Sequence, residues 1–173
     1  MFSQDTYRTT YQQCCAIIVL LFLTILGLSA CRPKEVELPF ENIELYQYSL
    51  KYERKEPGLM IITSAEEANE AGGWVTVDAL EQLQEMDYET HFATIAFLGW
   101  QPTGHEGIRI ERIVRMNNNV SIFAQIGRRL GDDVVTSPYH LVKVTRTGHW
   151  DTTITFNLIA SGATVATKSQ RVP

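Results

Sequence analysis

Few of the residues able to move protons, attack carbonyls or hold metals are spaced to act together. The four histidines, His91, His105, His140 and His149, include no pair at the interval that sets two ligands on one helix face or one strand. His105-Glu106 also lacks the second histidine of a helical zinc motif. Asp132-Asp133 and Glu106 come nearest to paired carboxylates, but they stand in glycine-rich stretches where solvated turn carboxylates are the expectation. There is no Gly-x-Ser-x-Gly elbow, and Ser137 directly before Pro138 reads as turn chemistry. Gly104 and Gly107 are not followed by the Gly-Lys-Ser of a phosphate loop. The expectation is a chain with no catalytic residues, no metal site and no cofactor.

Sulfur chemistry is confined to Cys14, Cys15 and Cys31. The segment Ala16 to Gly27 is apolar apart from Thr24 and shorter than the ~20 residues of a membrane span, and Leu28-Ser29-Ala30-Cys31 closes it. The layout is that of a signal peptide over residues 1–30, although Asp5 offsets Arg8 in its leading part. Leu-Ser-Ala-Cys resembles the lipobox read by bacterial lipoprotein signal peptidase. That resemblance implies cleavage before Cys31, a diacylglyceryl group on its thiol, and a membrane-anchored lipoprotein outside the cytoplasm in the bacterial cell envelope. An uncleaved anchor would leave the domain outside as well. Cleavage removes Cys14 and Cys15 and acylation consumes Cys31, so the remaining domain must be stabilised by packing without disulfides.

The formal net charge is -5, and residues 1–30 contribute one Asp and one Arg, so all of it belongs to residues 31–173. An acidic domain does not favour polyanions. The basic groupings, Arg128-Arg129 and Arg109, Arg112 and Arg115, are interrupted or adjoined by Glu111, Asp132 and Asp133 and read as solvated faces, not a nucleic-acid surface.

Elements must position whatever does work. Residues 31–41, charged and holding two prolines, read as a lipidated tether, and residues 42–173 as a single globular domain. Alternation predicts a strand over 43–52, and Leu59 to Thr63 a second, short one. Ser64-Ala-Glu-Glu67 has capping-box spacing and predicts a short helix ending near Gly72-Gly73. Val77, Leu80, Leu83 and Met86 predict a second helix. Phe92 to Trp100 reads as a central strand, followed by a hairpin over Ile108 to Ile126 with a bulge near Glu111-Arg112 and a turn at Asn117 to Asn119. Residues 127–137 read as a loop, His140 to Arg146 as a strand, and Ile154 to Lys168 as a second hairpin turning at Ser161-Gly162. The expected class is α+β: two short helices followed by an antiparallel β-sheet or small β-sandwich. Trp74, Trp100 and Trp150 read as core or loop-base packing in preference to a sugar platform.

Two motifs, Ile95-Ala-Phe-Leu-Gly-Trp-Gln-Pro-Thr-Gly104 and Thr136-Ser-Pro-Tyr-His-Leu-Val-Lys-Val144, resemble the C-terminal domain of the PrcB family of protease-complex subunits. The likeness spans residues 92–146, with a departure where the family's Gly-Gly-Tyr is replaced by Gly104-His105-Glu106. It implies a noncatalytic module that assembles with or supports a protease or another envelope protein. The Pro-Thr-Gly loop also resembles, over a few residues, the inhibitory loop of chagasin-type protease inhibitors, which are β-sandwiches. On these resemblances the candidate partner-binding residues are Trp100, Pro102, Thr103, Gly104, His105, Glu106, Pro138 and Tyr139. A rigid connector is the competing reading of loop 101–107, since proline fixes φ and glycine supplies positive φ.

Overall fold

The computed structural model describes residues 34–49, 51–102, 106–128 and 135–173. Cys31 and the signal-peptide segment therefore lie outside the described residues. From Glu35 onward the chain is a small β-rich unit with two short helices. Its elements are β1 (Val36–Glu37), β2 (Phe40–Tyr48), β3 (Gly58–Ile62), α1 (Ala65–Glu70), α2 (Val77–Gln84), β4 (His91–Phe97), β5 (Glu106–Met116), β6 (Asn119–Arg128), β7 (Pro138–Thr145), β8 (Thr152–Ala160) and β9 (Ala163–Val172).

These strands form two sheets, one in the order β1-β5-β6-β8-β9 and the other β2-β7-β4-β3. The second sheet is antiparallel throughout, whereas β6 and β8 in the first are parallel. That departs from the purely antiparallel expectation for a topological reason: the chain leaves β6, crosses to the other sheet as β7, and returns as β8. A parallel pair requires such a crossover, and a tight hairpin cannot make one.

Ordered pairing also begins earlier than Asn42. Val36 and Glu37 pair with Arg115 and Val114, the Leu38 amide donates to the Ile113 carbonyl at 2.8 Å, and Leu38 is buried in the core. Pro39 marks the switch between sheets, because β1 belongs to one and β2 to the other. The charges and prolines that suggested a tether thus conceal an alternation, Val36, Leu38 and Phe40, that packs inward. β2 ends at Tyr48, and register shifts after Asn42 and Leu45 break the alternation extrapolated to Tyr52.

Core residues fall in two clusters. Phe92, Ile108, Ile110, Ile113, Ile122, Phe156 and Leu158 pack between the sheets, while Ile62, Ala68, Ala79, Leu83, Ile95, Phe97 and Leu141 join the second sheet to the helices. The nearly continuous apolar run of β4, broken only by Thr94 after His91, is explained by this, since its residues divide between the two clusters. In α1, Ser64 Oγ accepts from the Glu67 amide at 3.2 Å, as a capping box requires. The Glu67 carboxylate, however, accepts from the Thr63 amide at 2.6 Å and from the Thr63 hydroxyl at 2.9 Å, one residue ahead of the expected amide. α2 buries Ala79 and Leu83, an i, i+4 pair, and leaves Val77 72% exposed. Steps of three residues drift about 60° around a 3.6-residue helix, so Val77 lies off the face that the later positions bury.

One buried polar contact joins the sheets. His140 on β7 is fully buried, and its Nδ1 accepts from the Ile110 amide of β5 at 2.8 Å. The proton therefore sits on Nε2, which donates to Asn42 Oδ1 at 2.9 Å. Ile110 stands at the register shift of β5, where the ladder skips from Ile110 to Arg112. The bulge frees an amide from pairing with β6, and the imidazole takes it up.

A candidate binding surface at the open end of the sheets

Four backbone contacts fix the region around Trp100. The Leu98 amide donates to the Pro138 carbonyl at 2.9 Å, and Gln101 and Thr136 exchange amide-to-carbonyl bonds of 2.7 and 3.0 Å. On the other side of the same segment the Ser49 amide donates to the Ser137 carbonyl at 2.9 Å. The Trp100 amide donates to the Arg54 carbonyl at 2.8 Å, drawing the 54–56 segment against the end of β4. Gly99 makes that approach possible. Its φ is +91°, and a Cβ there would stand 2.3 Å from the Lys55 carbonyl oxygen.

Held this way, the Trp100 side chain is turned outward and is 43% exposed, with Lys55 Nζ 5.9 Å from its ring centroid. Trp100 is therefore not core packing, unlike Trp150, which is 4% exposed and lies beneath the Arg115 guanidinium. Val135, at the root of the opposing segment, is 51% exposed. Pro102 and Glu106 are exposed as well. Thr103, Gly104 and His105 lie outside the described residues.

Pro138 and Tyr139 occupy a different position from the one expected of contact residues, because both are buried. The Tyr139 ring packs against Phe97, and its hydroxyl donates to the Glu44 carboxylate, which also accepts from Thr76 at the N-terminus of α2. Burial, and then the bond to Glu44, push the phenol far above its ordinary range. These two residues hold the surface from beneath and offer a partner no face of their own.

Between Trp100 and Val135 runs a groove of about 580 Å³, lined by Tyr48, Ser49, Tyr52, Glu53, Thr136 and Ser137. The hydroxyls of Ser49, Thr136 and Ser137 are buried and have no hydrogen-bond partner among the described residues. The Tyr52 ring stacks on Phe97 at 4.3 Å between centroids, and its hydroxyl donates to the Glu56 carbonyl at 3.0 Å. In sequence, Tyr48 and Tyr52 stood out only as alternating strand positions, and Ser49 and Glu53 not at all. Thr136 and Ser137 were visible in the motif, Thr136 as a loop residue and Ser137 as turn chemistry.

Among the described residues, no group of three or more His, Cys, Asp or Glu is placed to hold a metal ion. A second depression, about 340 Å³, is lined by Glu41, Glu85, Asp87, His91 and Lys143 among others, and three of its charges are engaged locally. Lys143 pairs with Glu41 at 2.7 Å, and Asp87 accepts from Thr90, which holds its carboxyl below the usual range. No family model, no curated protein and no solved structure matches the chain.

Proposed function

We propose that this chain is an extracytoplasmic, noncatalytic binding module of the bacterial cell envelope. In this reading it is held at the membrane by a lipid on Cys31 and engages a protein partner, a protease foremost, through the surface around Trp100, Pro102 and Glu106. The observation that carries the reading is the pair of outward apolar side chains, Trp100 and Val135, on two segments pinned together by the Gln101–Thr136 bridge. An aromatic anchor on a rigid support is the usual nucleus of a protein interface. The lipobox-like Leu28 to Cys31 supports the anchor, and the motifs at 95–104 and 136–144 support a PrcB-like module of α+β class. Both helices pack on the second sheet, which agrees with that class.

The test is affinity capture from detergent-solubilised native membranes, with residues 32–173 as bait beside a Trp100→Ala variant and one with Thr103 and His105 both changed to Ala. A protease recovered by the first and lost by the variants is the expected result. Identical recovery by all three, or hydrolytic turnover by the purified chain, refutes the reading. The chagasin-like alternative draws on the Pro-Thr-Gly sequence between β4 and β5, strands that belong to different sheets. It predicts stoichiometric loss of protease activity, where an assembly subunit preserves or raises it.

A further inference from the structure

We propose that the groove beside Trp100 is a saccharide-binding site that takes a short oligosaccharide, with a sugar face on the indole and sugar hydroxyls toward Ser49, Thr136, Ser137 and Glu53. The site shares Trp100 with the protein surface proposed above but needs no protein partner.

Two independent observations converge on this groove. First, its rim carries a tryptophan 43% exposed, and Tyr48 and the largely buried Tyr52 are among the residues that line it. Flat aromatic faces beside polar atoms suit ligands whose own surface alternates C–H faces with hydroxyls. Second, Ser49, Thr136 and Ser137 are each less than a tenth exposed, line the same space, and leave their hydroxyls without a partner among the described residues. A buried hydroxyl is ordinarily hydrogen-bonded, and three unmet together call for small polar groups that enter the groove. The volume of about 580 Å³ falls within the roughly 300–1,000 Å³ of small-ligand sites.

Peptide recognition fits less well. An extended peptide binds through main-chain bonds to a free strand edge. Here the amides of Ser49, Trp100, Gln101 and Thr136 are all donated within the protein, to Ser137, Arg54, Thr136 and Gln101. What remains for recognition is aromatic faces, hydroxyls and the exposed carboxylate of Glu53. That set matches the donors, acceptors and apolar faces of a sugar.

The experiment uses the full chain in a detergent without a sugar headgroup, titrated with chitotriose, cellotriose and maltotriose and followed by calorimetry and tryptophan fluorescence. At least one trisaccharide is expected to bind saturably. Trp100→Ala should weaken it about tenfold through loss of stacking. Thr136→Val and Ser137→Ala, which remove a hydroxyl with little change of shape, should weaken it severalfold. If these variants misfold, saccharide protection of the wild-type indole from acrylamide quenching reads the same contact. No binding by any of the three up to about 10 mM overturns the proposal, as does binding unchanged in Trp100→Ala. Saturable binding of a capped aromatic tripeptide through Trp100 where no saccharide binds also overturns it. Identical protein recovery by the wild-type and variant baits, with saccharide binding intact, would sink only the protein-partner reading.

Discussion

His140 gives the sharpest quantitative prediction. Burial, with a smaller contribution from the Arg109 charge, holds its pKa down to about 4 against an ordinary 6.5. The folded state thus resists a proton that the unfolded chain accepts. The contribution to stability is complete above pH 6.5, falls as pH drops from 6.5 toward 4, and is lost below that. A shift from 6.5 to about 4 corresponds to about 3 kcal/mol, of which about 2.5 kcal/mol is gone at pH 4.5. Glu41, Asp87 and Asp151 carry lowered carboxyl values and also lose stability as pH falls, so the wild-type curve alone does not isolate the imidazole. The comparison is with His140→Asn, whose side-chain oxygen can still accept the Ile110 amide without titrating. At pH 7.5 the variant should be less stable by roughly 1–3 kcal/mol, from lost packing and the lost bond to Asn42. At pH 4.5 that gap should shrink by about 2.5 kcal/mol or reverse. Urea unfolding of residues 34–173 at both pH values measures the gap, and an NMR titration of the His140 ring reads the pKa directly. A gap that does not change with pH, or a ring that titrates near 6.5, refutes the reasoning.

Other outcomes are as definite. Gly99→Ala should destabilise by more than about 2 kcal/mol in urea unfolding, because positive φ and a 2.3 Å approach to the Lys55 carbonyl oxygen act together. Tyr139→Phe should cost about 1–2 kcal/mol, through the bond to Glu44, while Trp100→Ala should cost less than about 1 kcal/mol. Equal losses from these two would contradict the assignment of one to support and the other to surface. Cys31→Ser should abolish incorporation of labelled palmitate in a bacterial host, and retained label would end the lipobox reading.

Local pattern made several elements legible. Ser64 and Glu67 announced α1, the phase slip near Glu111 announced the bulge, and the almost wholly apolar run of β4 announced a strand covered on both faces. What stayed hidden depended on contacts distant in the chain. Neither partner of the parallel β6–β8 pair carries a local mark of its direction, and β1 is too short for a period to show. At the candidate surface, Trp100, Pro102 and Glu106 were visible, but no periodicity reveals that Tyr48, Ser49, Tyr52 and Glu53 converge on Thr136 and Ser137. Pro138 and Tyr139 show the reverse limit. A conspicuous motif can mark a strand buried under a surface, and burial is not written in the motif.

The crossover through β7 has a consequence for how the molecule is assembled. Synthesis delivers β5 and β6 as a hairpin well before β8, and β6 cannot gain its second neighbour until β7 has been laid into the other sheet. Throughout that interval one side of β6 presents unpaired amides and carbonyls, while the inter-sheet core lacks Ile154, Phe156 and Leu158. Non-local pairing of this kind is slow, and an open strand edge invites intermolecular pairing. The emerging chain is thus most vulnerable to aggregation just before its last two strands arrive, and a stalled or truncated product lacking β8 and β9 would carry that exposed edge permanently.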